Sequence, residues 1–244
     1  KPGSVVMGVP PTQAVLRTLL LPVIADVREL ASMVHLQVSR DLPFRMDEAV
    51  VDFKVRRQIN PVAVPSGEKI EALPAPKLEV LVAAVKTEVV EAWRQTAEMA
   101  GVKLSALGLL PYANARCVEA CHVADGNEAF ALISLRPDEA NIDVIGEQAL
   151  LFSRGAQIRP GYDAEHADPN SSEPPPQAPK NEQEWAEEYV TLVTIEVVRT
   201  LHAYSGLEPN SPVGKVGVSG ATGFENATLQ ALGKRVGRPC ALLD

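Results

Sequence analysis

The chain has 244 residues, 46% hydrophobic and 22% charged, which supports one large domain or two smaller lobes sharing a cleft. A net charge of −8 leaves no basic stripe of the kind a phosphate backbone needs, so no nucleic-acid partner is expected. No apolar run approaches the roughly 20 residues that span a bilayer, and the longest, "AVLRTLLLPVIA", carries Arg17 and Pro22.

The chain begins at Lys1 without a signal peptide and reads as a fragment, with an upstream segment outside it. Three cysteines without a regular framework fit a reducing compartment. Cys117 and Cys121 lie four apart with His122 adjacent. That spacing shares a helix face and could clip a metal, but a structural zinc site needs four ligands, so small buried helix residues are the plainer expectation. The sequence contains no HExxH, GxSxG, GxxxxGK[ST] or GxGxxG.

In chain order, "SVVMGVP" and "AVLRTLLLP" read as strands, the second stopped by Pro22. "DVRELASMVHLQVSRD" reads as a helix with Asp26 at the N-cap, Glu29 three residues on, and an apolar face of Val27, Leu30, Met33, Val34 and Val38. "VVDFKVRRQI" alternates as a half-buried strand does. Asn60 to Lys77 holds four prolines and reads as a loop or a hairpin connection. "LEVLVAAVK" is a buried strand, followed by a helix capped by Thr87 and ended by Gly101. "VKLSALGLL" is a strand and "PYANARCVEACHVADG" a helix with Pro111 near its start.

"ALISLRPDEANIDVIGEQALLFSRG" reads as a meander of strands joined by tight turns at Pro137, Asp138 and Gly146. Arg159 to Gln183 is rich in proline, serine, asparagine and acids, and is expected to be a loosely packed surface excursion. In the long helix Glu184 to Gly206, Trp185, Tyr189, Leu192, Val193, Glu196, Val197, Thr200 and Leu201 recur at helical spacing, and core packing is the expectation for Trp185 and Tyr189. "VGKVGVSG" is a strand, "ATGFENATLQALGKRVG" a turn and helix, and "PCALLD" a last strand. The alternation predicts an α/β fold with a boundary near Gly126.

Several stretches together resemble the PilM family, the actin-like cytoplasmic component of type IV pilus assembly. The resemblance rests on "VVMGVP", "AVLRTLLLP", the charged helix and above all "DLPFRMDEAVVDFKV". "LEVLVAAVKTEVVEAWRQTAEMAGVKLSALGLLPYANAR" and "VGKVGVSGATGFENATLQALGKRVGRPCALLD" continue it in collinear order. The cytoplasmic domain of the type II secretion protein GspL shares that fold and is a near relative.

The resemblance implies a two-lobed actin-like (ribonuclease H-like) ATPase fold. Residues 1–126 would form the first lobe, the end of subdomain 1A plus a 1C-like insertion. Residues 127–244 would form the second, nucleotide-side lobe. That lobe would be trimmed, since the Pro-rich excursion 159–183 stands where the family inserts a helical subdomain. Members hold nucleotide between phosphate loops from each lobe and a Gly-rich adenosine-side turn. The first loop would lie upstream of Lys1.

The second loop, Asp-Ile-Gly in the family, falls on Ser134, Leu135 and Arg136, followed by Pro137. The third motif falls on Ser219, Gly220, Ala221, Thr222 and Gly223. Ser134, Arg136, Ser219, Gly220, Ala221 and Thr222 are thus degenerate nucleotide-site positions: a hydroxyl replaces a carboxylate, a bulky Arg replaces glycine, and Pro137 removes a backbone donor. Arg136 is expected to pair with Asp138 or Glu139, or to be solvated. The resemblance therefore implies a non-catalytic scaffold at the inner face of the inner membrane, with no catalytic residue, metal or cofactor. Its partner would be the cytoplasmic tail of a one-pass, PilN-like membrane protein, with self-association as a further option. An active ATP- and Mg-binding ATPase is the alternative.

Overall fold

The computed structural model describes residues 3–60, 75–123, 128–146, 149–161 and 181–243. They fall in two compact units, one of Lys1–Val9 and Gln13–Leu109, the other of Pro10–Thr12 and Leu110–Asp244. The division comes at Leu109, ahead of Gly126.

In the first unit, β1 (Ser4–Val9) pairs in parallel with β5 (Lys103–Leu109). A separate antiparallel sheet has the order β2-β4-β3, from β2 (Ala14–Pro22), β3 (Ala49–Ile59) and β4 (Lys77–Lys86). One face is covered by α1 (Val27–Val38), whose Leu30, Val34 and Val38 pack with Leu19, Leu21, Leu78, Val80 and Val82. Each such side chain contributes roughly 1.5–3 kcal/mol when fully buried.

Asp26 caps α1 as expected, its Oδ1 accepting the Arg28 amide at 2.8 Å. Val27, expected on the apolar face, is 70% exposed, because packing begins one turn later at Leu30. β3 alternates in burial up to a bulge between Val55 and Arg57. Of the proline-rich loop, residues 61–74 lie outside those described.

α2 (Thr87–Met99) has Lys86, not Thr87, at its N-cap. The Thr87 hydroxyl instead donates to the Glu48 carbonyl at 3.0 Å, tying the helix start to the chain before β3. Its C-terminus follows the sequence reading. Gly101 takes φ 68°, and the amides of Gly101 and Val102 reach back to the carbonyls of Glu98 and Ala97, a Schellman closure.

The second unit holds a five-stranded sheet of order β10-β9-β6-β7-β8. β6 (Ala129–Leu135), β7 (Glu139–Gly146) and β8 (Ala149–Gln157) form the expected antiparallel meander. β9 (Val213–Gly220) runs parallel to β6, and β10 (Cys240–Leu242) parallel to β9. α4 (Glu182–Leu207) sets Tyr189, Val193, Val197 and Tyr204 into a core with Ile133, Ala140, Ile142, Val144, Val216 and Val218. α5 (Glu225–Arg235) adds Leu232.

Residues 162–180 of the Pro-rich excursion lie outside the described residues. Its described ends are tied down. The Gly161 amide donates to Glu188 Oε1 at 2.8 Å, and Asn181 caps α4 by accepting the Glu184 amide.

α3 (Leu110–Ala120) belongs to the second unit. Asn114 Nδ2 donates to the Asp143 carboxylate of β7 at 2.8 Å, and Ser153 of β8 donates to the same group at 2.6 Å. Past the helix, His122 adopts φ 51° and its amide bonds the Glu119 carbonyl, a second Schellman closure with histidine in the usual glycine position. The cysteine pair departs from expectation, since Cys117 and Cys121 are both exposed free thiols. No group of three metal-ligating side chains assembles among the described residues.

Candidate functional site

Parallel pairing of β6 with β9 brings the two degenerate motifs together. Ser134 stands opposite Ser219, and Leu135 opposite Gly220. The turns that leave these strands, Arg136–Asp138 and Ala221–Phe224, therefore lie at the same end of one sheet. Backbone amides at such an end are what a nucleotide phosphate or ribose would use.

The first turn is closed by its own hydrogen bonds. The Arg136 amide donates to the Glu139 carbonyl at 2.9 Å, and Pro137 has no amide to offer. The Arg136 carbonyl accepts the Tyr189 hydroxyl at 2.6 Å, and the Asp138 carbonyl accepts the Ile158 amide. No positive φ occurs at position 136, so arginine fits where the family has glycine. The Arg136 side chain pairs loosely with Glu139 at 3.8 Å, one of the two acids expected of it. Glu139 is itself largely buried and accepts from Thr12 at 2.7 Å and from Asn141 at 3.1 Å.

The second turn is closed by a carboxylate. Glu225 Oε1 accepts the Thr222 amide at 2.6 Å and the Thr222 hydroxyl at 2.7 Å, and Oε2 accepts the Gly223 amide at 2.9 Å. The Thr222 hydroxyl oxygen in turn accepts the Phe224 amide at 3.1 Å. Desolvation raises the Glu225 carboxyl, but the hydrogen bonds from Thr222 and Gly223 outweigh it and hold the group below its ordinary value. Gly220 takes φ 152°, and a Cβ there would stand 2.7 Å from Glu225 Oε1 and 2.8 Å from the Leu135 carbonyl oxygen. The space beside this glycine is thus filled by the Glu225 carboxylate and by Leu135 together.

Three rings join the turns. Trp185 stacks on Tyr189 at 5.3 Å, and Phe224 tilts against both, at 5.5 and 5.2 Å. Trp185 and Tyr189 pack in the core as their spacing predicts, yet the Tyr189 hydroxyl also anchors the first turn. Burial, followed by the charges of Glu225 and Asp138, pushes the Tyr189 phenol up to about 12, so it remains a donor at any ordinary pH.

The site residues named from sequence are brought together, except that the side chain doing most to shape the second turn was not among them. Glu225 was legible in principle, because Thr222-Gly-Phe-Glu225 has the Thr-x-x-Glu spacing of a capping box. A triphosphate with magnesium does not fit these turns as they stand. Ser134 offers no carboxylate for a metal, the amides of Arg136, Thr222 and Gly223 are engaged, and a negative charge already occupies the second turn.

The family model for the type IV pilus assembly protein PilM matches residues 2–244. The chain belongs to the PilM family. Its structure is similar to a PilM chain solved in a PilM-PilN type IV pilus biogenesis complex, at TM-score 0.70 and 16% identity, over 99% of this chain and 69% of that one. A Bacteroides thetaiotaomicron protein with an actin-like ATPase fold aligns at TM-score 0.46 and 10% identity, over 98% and 67% of the two chains. EutJ from Carboxydothermus hydrogenoformans aligns at 0.38 and 16%, over 62% and 54%. These last two lie too low to carry an argument. No curated protein matches the chain in sequence. The α/β fold is thus that of the PilM family, as the sequence resemblance implied. No helix among the described residues is long and apolar enough to cross a membrane.

Proposed function

We propose that this PilM-family chain is a non-catalytic scaffold of a type IV pilus platform at the inner face of the inner membrane, holding the cytoplasmic tail of a one-pass membrane partner. The observation that carries the non-catalytic part is the chemistry of the two turns. The amides of Arg136, Thr222, Gly223 and Phe224 are engaged within the protein, and no carboxylate stands at Ser134 to organise a metal. An ATPase needs both features free at this end of the sheet.

Family membership supports the pilus platform over a type II secretion one. The similar PilM structure was solved with PilN, and a PilN-like tail is the partner we assign by that analogy. Such a tail orders on binding, so its affinity should be micromolar or weaker. A synthetic peptide of the cytoplasmic tail of the source organism's own PilN-like protein, titrated calorimetrically into the chain, should bind with one site. A flat titration, with the full-length partner also failing to co-purify, would sink the partner assignment.

A further inference from the structure

We infer that Glu225 is the residue that shuts the second turn against nucleotides: its carboxylate is a built-in anion seated on the donors that a phosphate or ribose oxygen would need. This inference rests on the non-catalytic reading above and assigns its specificity to one side chain.

Three observations converge on it. Glu225 takes two backbone amides of the turn, Thr222 and Gly223, together with the Thr222 hydroxyl, at 2.6 to 2.9 Å. Its Oε1 also stands 2.7 Å from where a Gly220 Cβ would lie, crowding that glycine together with the Leu135 carbonyl oxygen at 2.8 Å. Its carboxyl is held below the ordinary range, so the negative charge persists at neutral pH. A second anion entering the turn would have to displace three charge-assisted hydrogen bonds and then face the displaced carboxylate. A helix cap alone would need one acceptor for one amide; this carboxylate uses both oxygens on three donors.

The cap also has an aromatic backing. Phe224, the residue before Glu225, is wedged against Trp185 and Tyr189, so the peptide that carries the carboxylate is fixed by packing as well as by hydrogen bonds. The turn therefore holds its shape with no ligand in it. The engaged donors and the persistent charge act together, and a substitution that keeps one and removes the other separates them.

The test uses the whole chain, as wild type, Glu225→Gln and Glu225→Ala, titrated separately with ADP and with inorganic phosphate. Wild type should show no saturable binding of either. Glu225→Ala frees the donors and removes the charge, and should gain at least about tenfold in ADP affinity, which is about 1.4 kcal/mol. Glu225→Gln removes the charge but keeps an acceptor, and should fall between. A gain for ADP with none for phosphate identifies the ribose and base as what the turn takes, and a gain for both identifies the phosphate. The inference is overturned if Glu225→Ala and Glu225→Gln, each with a cooperative melt and native circular dichroism, gain nothing. It is equally overturned if wild type binds ADP as tightly as Glu225→Ala does. Should Glu225→Ala fail to fold, Glu225→Gln alone decides by the same criterion. Loss of tail binding in the separate calorimetric experiment would remove the scaffold reading and leave this result untouched.

Discussion

Asp143 has no solvent exposure, and its two hydrogen bonds, from Asn114 and Ser153, do not compensate fully for its burial. Burial raises its carboxyl above the ordinary value despite both bonds. The consequence for stability has a definite sign. Below the unfolded value of about 3.9 the group is protonated in both states and costs nothing. As pH rises past that value the unfolded chain ionises first, and stability falls until the raised folded value is passed. Asp143→Asn removes the penalty, and the Ser153 hydroxyl can turn to accept from the new amide. The melting temperature of this variant relative to wild type should therefore be more favourable at pH 7.5 than at pH 4. An equal difference at the two pH values would show that folding does not raise the Asp143 carboxyl. Glu225 has the opposite sign: its lowered carboxyl adds stability above the unfolded value, lost as pH falls through the folded one.

Elements were the most legible level of this protein. Apolar alternation, Pro22, Asp26, Gly101 and the Pro137 turn mark strand and helix ends directly, because each acts through local backbone chemistry. What escaped depends on partners distant in sequence. Thr87 reads as a cap until Glu48 is brought beside it, and Cys117 and Cys121 read as buried until α3 turns them outward. The bulge in β3 belongs to the same class. It sets Arg56 and Arg57 on one carboxylate, with Arg56 Nη1 at 2.6 Å and Arg57 Nε at 2.7 Å from Glu79. Arg56 and Glu79 are 7% and 3% exposed, so this is a desolvated pair between the edge strand β3 and the middle strand β4 of the three-stranded sheet. Glu79→Ala leaves the Arg56 cation buried without its counter-charge, and should cost about 3–5 kcal/mol. Urea unfolding followed by circular dichroism measures it. A midpoint within error of wild type would mean that Arg56 simply re-solvates.

At the scale of the whole molecule, the fold and the family were readable because the strands and "DLPFRMDEAVVDFKV" survive intact, while the ligand chemistry of the site does not. The fold needs apolar strands, and a nucleotide needs free donors and a metal-organising carboxylate. In this chain the first requirement is met. The second is answered by internal partners: the Glu139 carbonyl takes the Arg136 amide of one turn, which Tyr189 also anchors, and Glu225 takes the Thr222 and Gly223 amides of the other. The candidate site was therefore half legible: position came from the motifs, but closure came from side chains on α4 and α5 that the motifs do not name. The central claim, a PilM-family scaffold whose turns hold themselves without nucleotide, is tested most directly by thermal unfolding of wild type with and without MgATP. A protein that binds MgATP would be stabilised by about 2.7 kcal/mol at a hundredfold excess over its dissociation constant. The account predicts no magnesium-dependent shift of the unfolding midpoint; a shift of that size at sub-millimolar MgATP would contradict it.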